Sequence, residues 1–275
     1  MMFKGDKFTF KTGEKTYVIG ILNVTDDSFF DGGKYNTKEK ALQRTIEMLN
    51  EGADIIDIGA QSTRPGHKAI SVQEELEIIK EYLPYIYDKT KAIISVDTFE
   101  PIVAEYALKN GAAIINDVSG YINPQMAKLV KKFNCGWIIM HNGGGDANII
   151  PEYSKGVLED INSFFKASIE KCLELGMSKE QLMLDVGIGF GKNFDHNLEI
   201  IKYLNKIDCR GCALLVAASN KRVVGEATNA NGEDRLYGTI ALNTLAVKNG
   251  ADFVRVHNVK ENALALKMAN VLVRG

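Results

Sequence analysis

The sequence predicts a (β/α)8 TIM barrel. Apolar, β-rich runs alternate with amphipathic stretches from end to end, and the alternation repeats eight times. Several stretches stop at a glycine before a short polar turn, at Gly52, Gly111 and Gly250, because glycine supplies the left-handed conformation that ends a helix. The runs themselves are continuously apolar, as parallel strands are when both faces of the sheet are covered. An open doubly wound sheet, the competing architecture, usually has fewer units and often a Gly-rich first turn, and no GxGxxG follows the first run. Barrels of about 250 residues form one domain, so residues 1–275 are expected to be a single domain.

Each unit follows from its local pattern. The first strand is expected over 17–23 and its helix over 37–50, where Ala41, Leu42, Ile46 and Leu49 share a face. Thr37 occupies the N-cap position and Gly52 the stop. A strand over 54–58 precedes a helix over 71–87, and a strand over 92–96 precedes a helix with Pro101 near its start. Residues 113–116 lead to a helix over 124–132, and 136–140, through a glycine-rich loop, to a long helix over 157–175. The last strands, over 181–185, 213–217 and 252–256, precede helices over 197–204, 235–248 and 261–272.

Composition excludes several functions. The chain is 45% hydrophobic and 25% charged, with 33 basic against 35 acidic residues and a net charge of −2. That balance argues against nucleic-acid binding. No apolar run approaches the ~18 residues that span a bilayer, and the polar first 18 residues lack a signal-peptide core. A cytoplasmic location without membrane association is expected. The 4 cysteines are too scattered for a disulfide framework, and Cys209-Arg-Gly-Cys212 has no second CxxC to complete a zinc site. Reduced thiols are expected.

In such barrels chemistry gathers at the C-terminal strand ends. Those positions hold Asn23, Asp57 with Ser62-Thr63-Arg64, Asp97, Asn116, His141, Asp185, Ser219 with Lys221, and Arg255 with His257. Polar residues at every end point to a site for a polar small molecule. Arg64, Lys221, Arg255 and His257 form a cationic group suited to phosphate. Asp97, Asn116 and Asp185 form an acceptor group suited to a flat heterocycle with adjacent N–H donors. The loop from Gly187 to Lys192 reads either as a phosphate-cradling nest or as glycines that merely permit a close turn.

The motifs in these loops resemble those of the dihydropteroate synthase family. Asn23-Val-Thr-Asp-Asp-Ser-Phe-Phe-Asp-Gly-Gly33 is similar to its first signature and Ser62-Thr-Arg-Pro-Gly66 to its second. Ser95-Val-Asp-Thr98, Ile115-Asn-Asp117, Leu184-Asp-Val-Gly-Ile-Gly-Phe-Gly-Lys192 and Arg255-Val-His257 follow in the family's order. The resemblance implies a pterin-binding barrel that joins 6-hydroxymethyl-7,8-dihydropterin pyrophosphate to para-aminobenzoate. It implies that Asp185 pairs with the pterin's 2-amino and N3–H groups, Asp97 and Asn116 with other ring nitrogens, and Lys221 with the carbonyl side. Asn23 would help to hold Mg2+ on the pyrophosphate, and Thr63, Arg64, Arg255 and His257 would grip its oxygens. Asp31 and Asp97 would stabilise a cationic pterin. Phe29, Pro65, Phe190 and Arg222 would line the aromatic-amine pocket, and the loops over 27–33 and 62–66 would close over the substrates. A homodimer through outer helices is also implied.

This chain departs from the family pattern at several points. Asn220 stands in the Ser219-Asn220-Lys221 motif where the family has a cation, Asp26 and Val186 replace prolines, and Phe30 replaces a small residue. Ala60-Gln61 stands where Gly-Glu is common, and the loop after the fifth strand lacks the usual basic residue. Phe30, beside the amine pocket, is expected to alter sulfonamide sensitivity. Two other functions share the motifs: a pterin-holding paralogue without efficient transfer, and a methyltransferase acting from methyltetrahydrofolate. The Ser62–Gly66 motif and the Arg255-Val-His257 set, which methyl transfer does not need, argue against the second.

Overall fold

The computed structural model describes residues 1–24, 37–60, 70–144 and 149–275. Eight parallel strands close into a barrel: β3 (Tyr17–Asn23), β4 (Ile55–Gly59), β5 (Ile94–Asp97), β6 (Ile114–Asp117), β7 (Gly136–Met140), β8 (Leu182–Asp185), β9 (Ala213–Val216) and β10 (Phe253–Val256). The seam pairs the last strand with the first, Phe253 opposite Tyr17 and Arg255 opposite Ile19. Helices α1 (Lys38–Glu51), α2 (Val72–Thr90), α3 (Pro101–Lys109), α4 (Pro124–Phe133), α5 (Val157–Glu174), α6 (Phe194–Lys202), α8 (Arg235–Lys248) and α9 (Val259–Arg274) follow the strands in turn. None of the described helices is long and apolar enough to cross a membrane.

The local signals act as their chemistry requires. Thr37 accepts the Lys40 amide at the start of α1, and Gly52 ends that helix at φ 108°. Ser71 and Glu74 form a reciprocal capping box on α2. α2 runs through Pro84, with Tyr82, Leu83 and Ile86 buried against the barrel, and continues past the expected stop at 87 to Thr90.

A short helix and a hairpin lie outside the eight expected units. A short helix, α7 (Arg222–Thr228), precedes α8. An antiparallel hairpin of β1 (Met2–Gly5) and β2 (Phe8–Lys11) carries Phe3, Phe8 and Phe10 into the N-terminal end of the barrel. There they meet Tyr17, Ile19, Ile55, Ile114, Ile138, Met183, Leu215 and Phe253 from the strands. Gly136 permits this approach, since a Cβ there would lie 2.6 Å from the Phe3 ring.

The strands place alternate residues on opposite faces. Val18, Ile56, Val96, Ile115, Trp137, Leu184, Val216 and Val254 face the helices in the larger core. The other parity fills the lumen. Two residues further along the same strands, Ile55 gives way to Asp57, Ile114 to Asn116, Met183 to Asp185 and Phe253 to Arg255.

Candidate active site

Arg255 organises one half of the barrel mouth. Its Nε donates to Asp57 Oδ2 at 2.6 Å and its Nη2 to Asp97 Oδ2 at 2.9 Å. Asn116 Nδ2 donates to the same Asp57 oxygen at 3.0 Å. Strand register explains the grouping, because β4, β5 and β6 are neighbours and Asp97 lies opposite both Gly59 and Asn116. Two carboxylates share one guanidinium, so the group carries an excess of negative charge. Burial pushes the Asp97 carboxyl up to about 7 against the pull of Arg255, and the charge of Asp57 adds to the rise.

The group also holds acceptors without donors. Asp57 Oδ1 and Asn116 Oδ1 are buried with no hydrogen-bond partner among the described residues. A buried acceptor left in this state costs about 1–3 kcal/mol, and a ligand presenting N–H donors would satisfy it.

Asp185 and Lys221 form the other half. Asp185 is buried, and its Oδ1 accepts the Gly187 amide at 2.8 Å. Burial raises its carboxyl, with Lys221 the strongest opposing charge. Lys221 Nζ donates to the Ile188 carbonyl and stands 4.7 Å from the centre of the half-buried Phe190 ring. Burial pushes the Lys221 ammonium down to about 8 against the attraction of Asp185.

The loop after β8 makes a close turn. Three of its amides are already engaged: Gly187 by Asp185, Gly189 by Asn197 Oδ1 at 2.8 Å, and Phe190 by the Gly187 carbonyl at 3.1 Å. Gly187 has φ +65°, and a Cβ there would lie 1.9 Å from the His141 carbonyl oxygen. Lys192 points inward, donating to the carbonyls of His141 and Phe190 at 3.0 and 2.9 Å. Burial pushes its ammonium down to about 7.

The remaining expected residues divide between the mouth and its surroundings. His257 is half-buried beside Ser219, with Nδ1 3.1 Å from the hydroxyl, which accepts the His257 amide at 3.2 Å. Asn23 ends β3 and is half-buried. Arg222 opens α7 on the surface and pairs with Glu226 at 3.1 Å. His141 is not in the cluster: its Nε2 lies 2.8 Å from Asp160 on α5, and burial pushes the ring down to about 4. Asp31, Thr63 and Arg64 lie outside the described residues, as do Phe29, Phe30, Pro65 and the two loops expected to close.

Asn220 has a structural account. Its backbone is left-handed, at φ 57°, a conformation asparagine tolerates better than most residues. Its amide donates to Thr239 Oγ1 on α8 at 3.1 Å, and its side chain reaches Asn258 before α9. The four cysteines are free, with their thiols pushed up to about 12 by burial. Among the described residues no group of three or more His, Cys, Asp or Glu side chains could hold a metal ion.

Asp57 is the residue of this cluster that sequence reasoning left without a role, and strand parity was the signal. Ile55 and Asp57 share the lumenal face of β4, so a carboxylate there enters the lumen and needs a partner.

Comparison with known proteins agrees with this geometry. A family model described as pterin binding enzyme matches residues 19–257. A dihydropteroate synthase from Clostridium beijerinckii is 40% identical over 96% of this chain and 97% of its own, and one from Bacillus subtilis 40% identical over 94% and 90%. Among solved structures, a Clostridium difficile dihydropteroate synthase in the presence of pteroic acid superposes with a TM-score of 0.89 at 40% identity, covering 97% of this chain and 100% of that one. A Yersinia pestis dihydropteroate synthase in complex with a sulfonamide drug gives 0.92 at 35% identity, covering 99% of each.

Proposed function

The chain belongs to the dihydropteroate synthase family of pterin-binding enzymes, and from that premise we propose how its barrel mouth divides the work. The reaction is a transfer in folate synthesis: 6-hydroxymethyl-7,8-dihydropterin pyrophosphate and para-aminobenzoate give 7,8-dihydropteroate and pyrophosphate. The observation that carries our division of roles is the sharing of Arg255 by two carboxylates, Asp57 and Asp97, with Asp185 and Lys221 attracting each other in the same mouth.

Asp185 accepts from the pterin's 2-amino and N3–H groups, Asn116 and Asp97 meet other ring nitrogens, and Lys221 takes the carbonyl side. The negative excess around Asp57 and Asp97 favours the cationic dihydropterin left when the carbon–oxygen bond to pyrophosphate breaks. Arg255 and His257, with Thr63 and Arg64, hold the departing oxygens, and Asp31 adds to the stabilisation of the cation. The amine nitrogen then bonds to that carbon and loses its proton. Phe190 forms a wall of the amine pocket, and Arg222 would leave Glu226 to meet the amine's carboxylate.

Mg2+ belongs to the same reading. Asn23, with a hard amide oxygen and no side-chain hydrogen bond among the described residues, suits an ion held mainly by substrate phosphate, as Mg2+ commonly is. When bound, the ion neutralises charge on the pyrophosphate.

A homodimer fits the outer surface. Leu264, Met268, Val271 and Leu272 on α9 are exposed at helical spacing, and the neighbouring α8 exposes Tyr237 and Leu245. The enzyme would work as one domain in the cytoplasm, and sulfonamides would compete for its amine pocket.

The test is pyrophosphate release from the dihydropterin pyrophosphate, with and without para-aminobenzoate and Mg2+. Release and dihydropteroate formation that require both substrates and Mg2+ are expected. Tight pterin binding without product would point instead to a paralogue that only holds the pterin.

A further inference from the structure

We propose that Lys192 is a positioning residue: it ties the loop after β8 to the end of β7 and so holds the Phe190 ring facing Lys221. The side chain is buried, at 4% exposure. Its Nζ bridges two backbone carbonyls, that of His141, just beyond β7, at 3.0 Å, and that of Phe190 at 2.9 Å. Gly187 comes up against the same His141 carbonyl, and a Cβ at 187 would also lie 3.3 Å from Lys192 Nζ. The turn therefore converges on one carbonyl from two points, a glycine and an ammonium.

Other ties secure the flanks of the turn. Tyr153 donates to the Gly191 carbonyl at 2.8 Å, and Asn197 accepts the Gly189 amide while donating to the Lys192 carbonyl at 3.3 Å. Lys192 alone among these side chains bonds the backbone of Phe190, whose ring stands beneath Lys221.

Lys192 forms no ion pair among the described residues. A buried ammonium whose hydrogen bonds go only to carbonyls, with the charges of Asp185 and Asp160 acting from beyond ion-pair distance, is costly for stability, and an apolar side chain of similar length would fill the space without that cost. What the ammonium adds is direction: two donors that fix one carbonyl relative to another. Misplacement of a binding group by about 1 Å can lower a rate by as much as about 100-fold, so such a tie can matter without any contact with substrate.

The proposal rests on the reading of Phe190 as a wall of the amine pocket, and the experiment separates the two. In Lys192→Met, amide exchange across residues 186–192 is expected to accelerate. The KM for para-aminobenzoate should rise about tenfold, while the dihydropterin Kd changes less than about threefold. Lys192→Gln keeps an N–H donor group on a shorter, uncharged side chain and should fall between the Met variant and the parent; it carries the test if the Met variant does not fold. Combined with Phe190→Leu, the KM effects should be non-additive, which a general loss of stability does not produce. Unchanged exchange in a folded variant overturns the proposal, as do additive effects or faster exchange with an unchanged KM. If Phe190→Leu alone leaves the KM unchanged, Phe190 is not the wall and the proposal fails with that reading. Additive effects from two individually impaired variants leave Phe190 in place and remove only the role of Lys192.

Discussion

The two ends of the barrel lumen are built from the same strands and the same side-chain parity, yet they do opposite things. At the N-terminal end Phe3, Phe8, Phe10, Tyr17 and Phe253 pack with ring centres 4.8–5.7 Å apart, in tilted, stacked and edge-on pairs. Two residues further along β10, the same face carries Arg255 between Asp57 and Asp97. The first end satisfies itself, since aromatic rings need only apolar neighbours. The second leaves buried acceptors on Asp57 and Asn116 without donors. Stability is concentrated at one end of the lumen and given up at the other, and the step between them is two residues of strand.

Three substitutions test this division. Arg255→Met leaves Asp57 and Asp97 buried without their cation, which should destabilise the fold by about 3–5 kcal/mol. Turnover should fall by about 1,000-fold or more, the scale of removing a preorganised electrostatic group. Denaturant unfolding and steady-state kinetics read both, and unchanged stability would show that the carboxylates do not depend on the guanidinium. Phe3→Ala should cost about 3–5 kcal/mol and leave kcat/KM almost unchanged below the unfolding transition. A large loss of kcat/KM in the folded variant would mean that the two ends are coupled.

The third test concerns pH. Burial raises the folded-state Asp97 carboxyl to about 7, whereas in the unfolded chain it titrates near about 3.9. The folded protein therefore binds the proton more tightly, and the contribution is fully present below about pH 4 and lost as pH rises to about 7. Asp97→Asn should flatten that part of the stability profile. Urea midpoints measured across the window would refute the assignment if parent and variant ran parallel.

The repeat was readable because its signals are local. Thr37 and Ser71 cap helices through side chains acting within three residues, and Gly52 ends a helix through its own φ. The hairpin was not readable, because the alternating Phe8 and Phe10 of a four-residue strand acquire meaning only from the lumen they enter. Nor was α7, seven residues long, whose cap position, Lys221, makes no side-chain cap. Within the site, strand-end position was enough to single out Asp97, Asn116, Asp185, Lys221 and Arg255. Their pairing was not, because Arg255 meets carboxylates 158 and 198 residues away. The Gly187–Lys192 loop left two readings open for a related reason: glycine spacing does not reveal which acceptors engage the amides.

The closing seam has a consequence for how the enzyme comes into being. β3 finds its second neighbour only in β10, so the ring cannot shut until Val256 has been synthesised. Pairing across so long a separation is slow to nucleate, whereas the intervening βα units can condense on the ribosome as they emerge. The residue that gathers Asp57 and Asp97 is carried by that final strand. A nascent or truncated chain can thus hold much of the scaffold while its carboxylates still lack their cation, and catalytic competence arrives in a single late step together with closure.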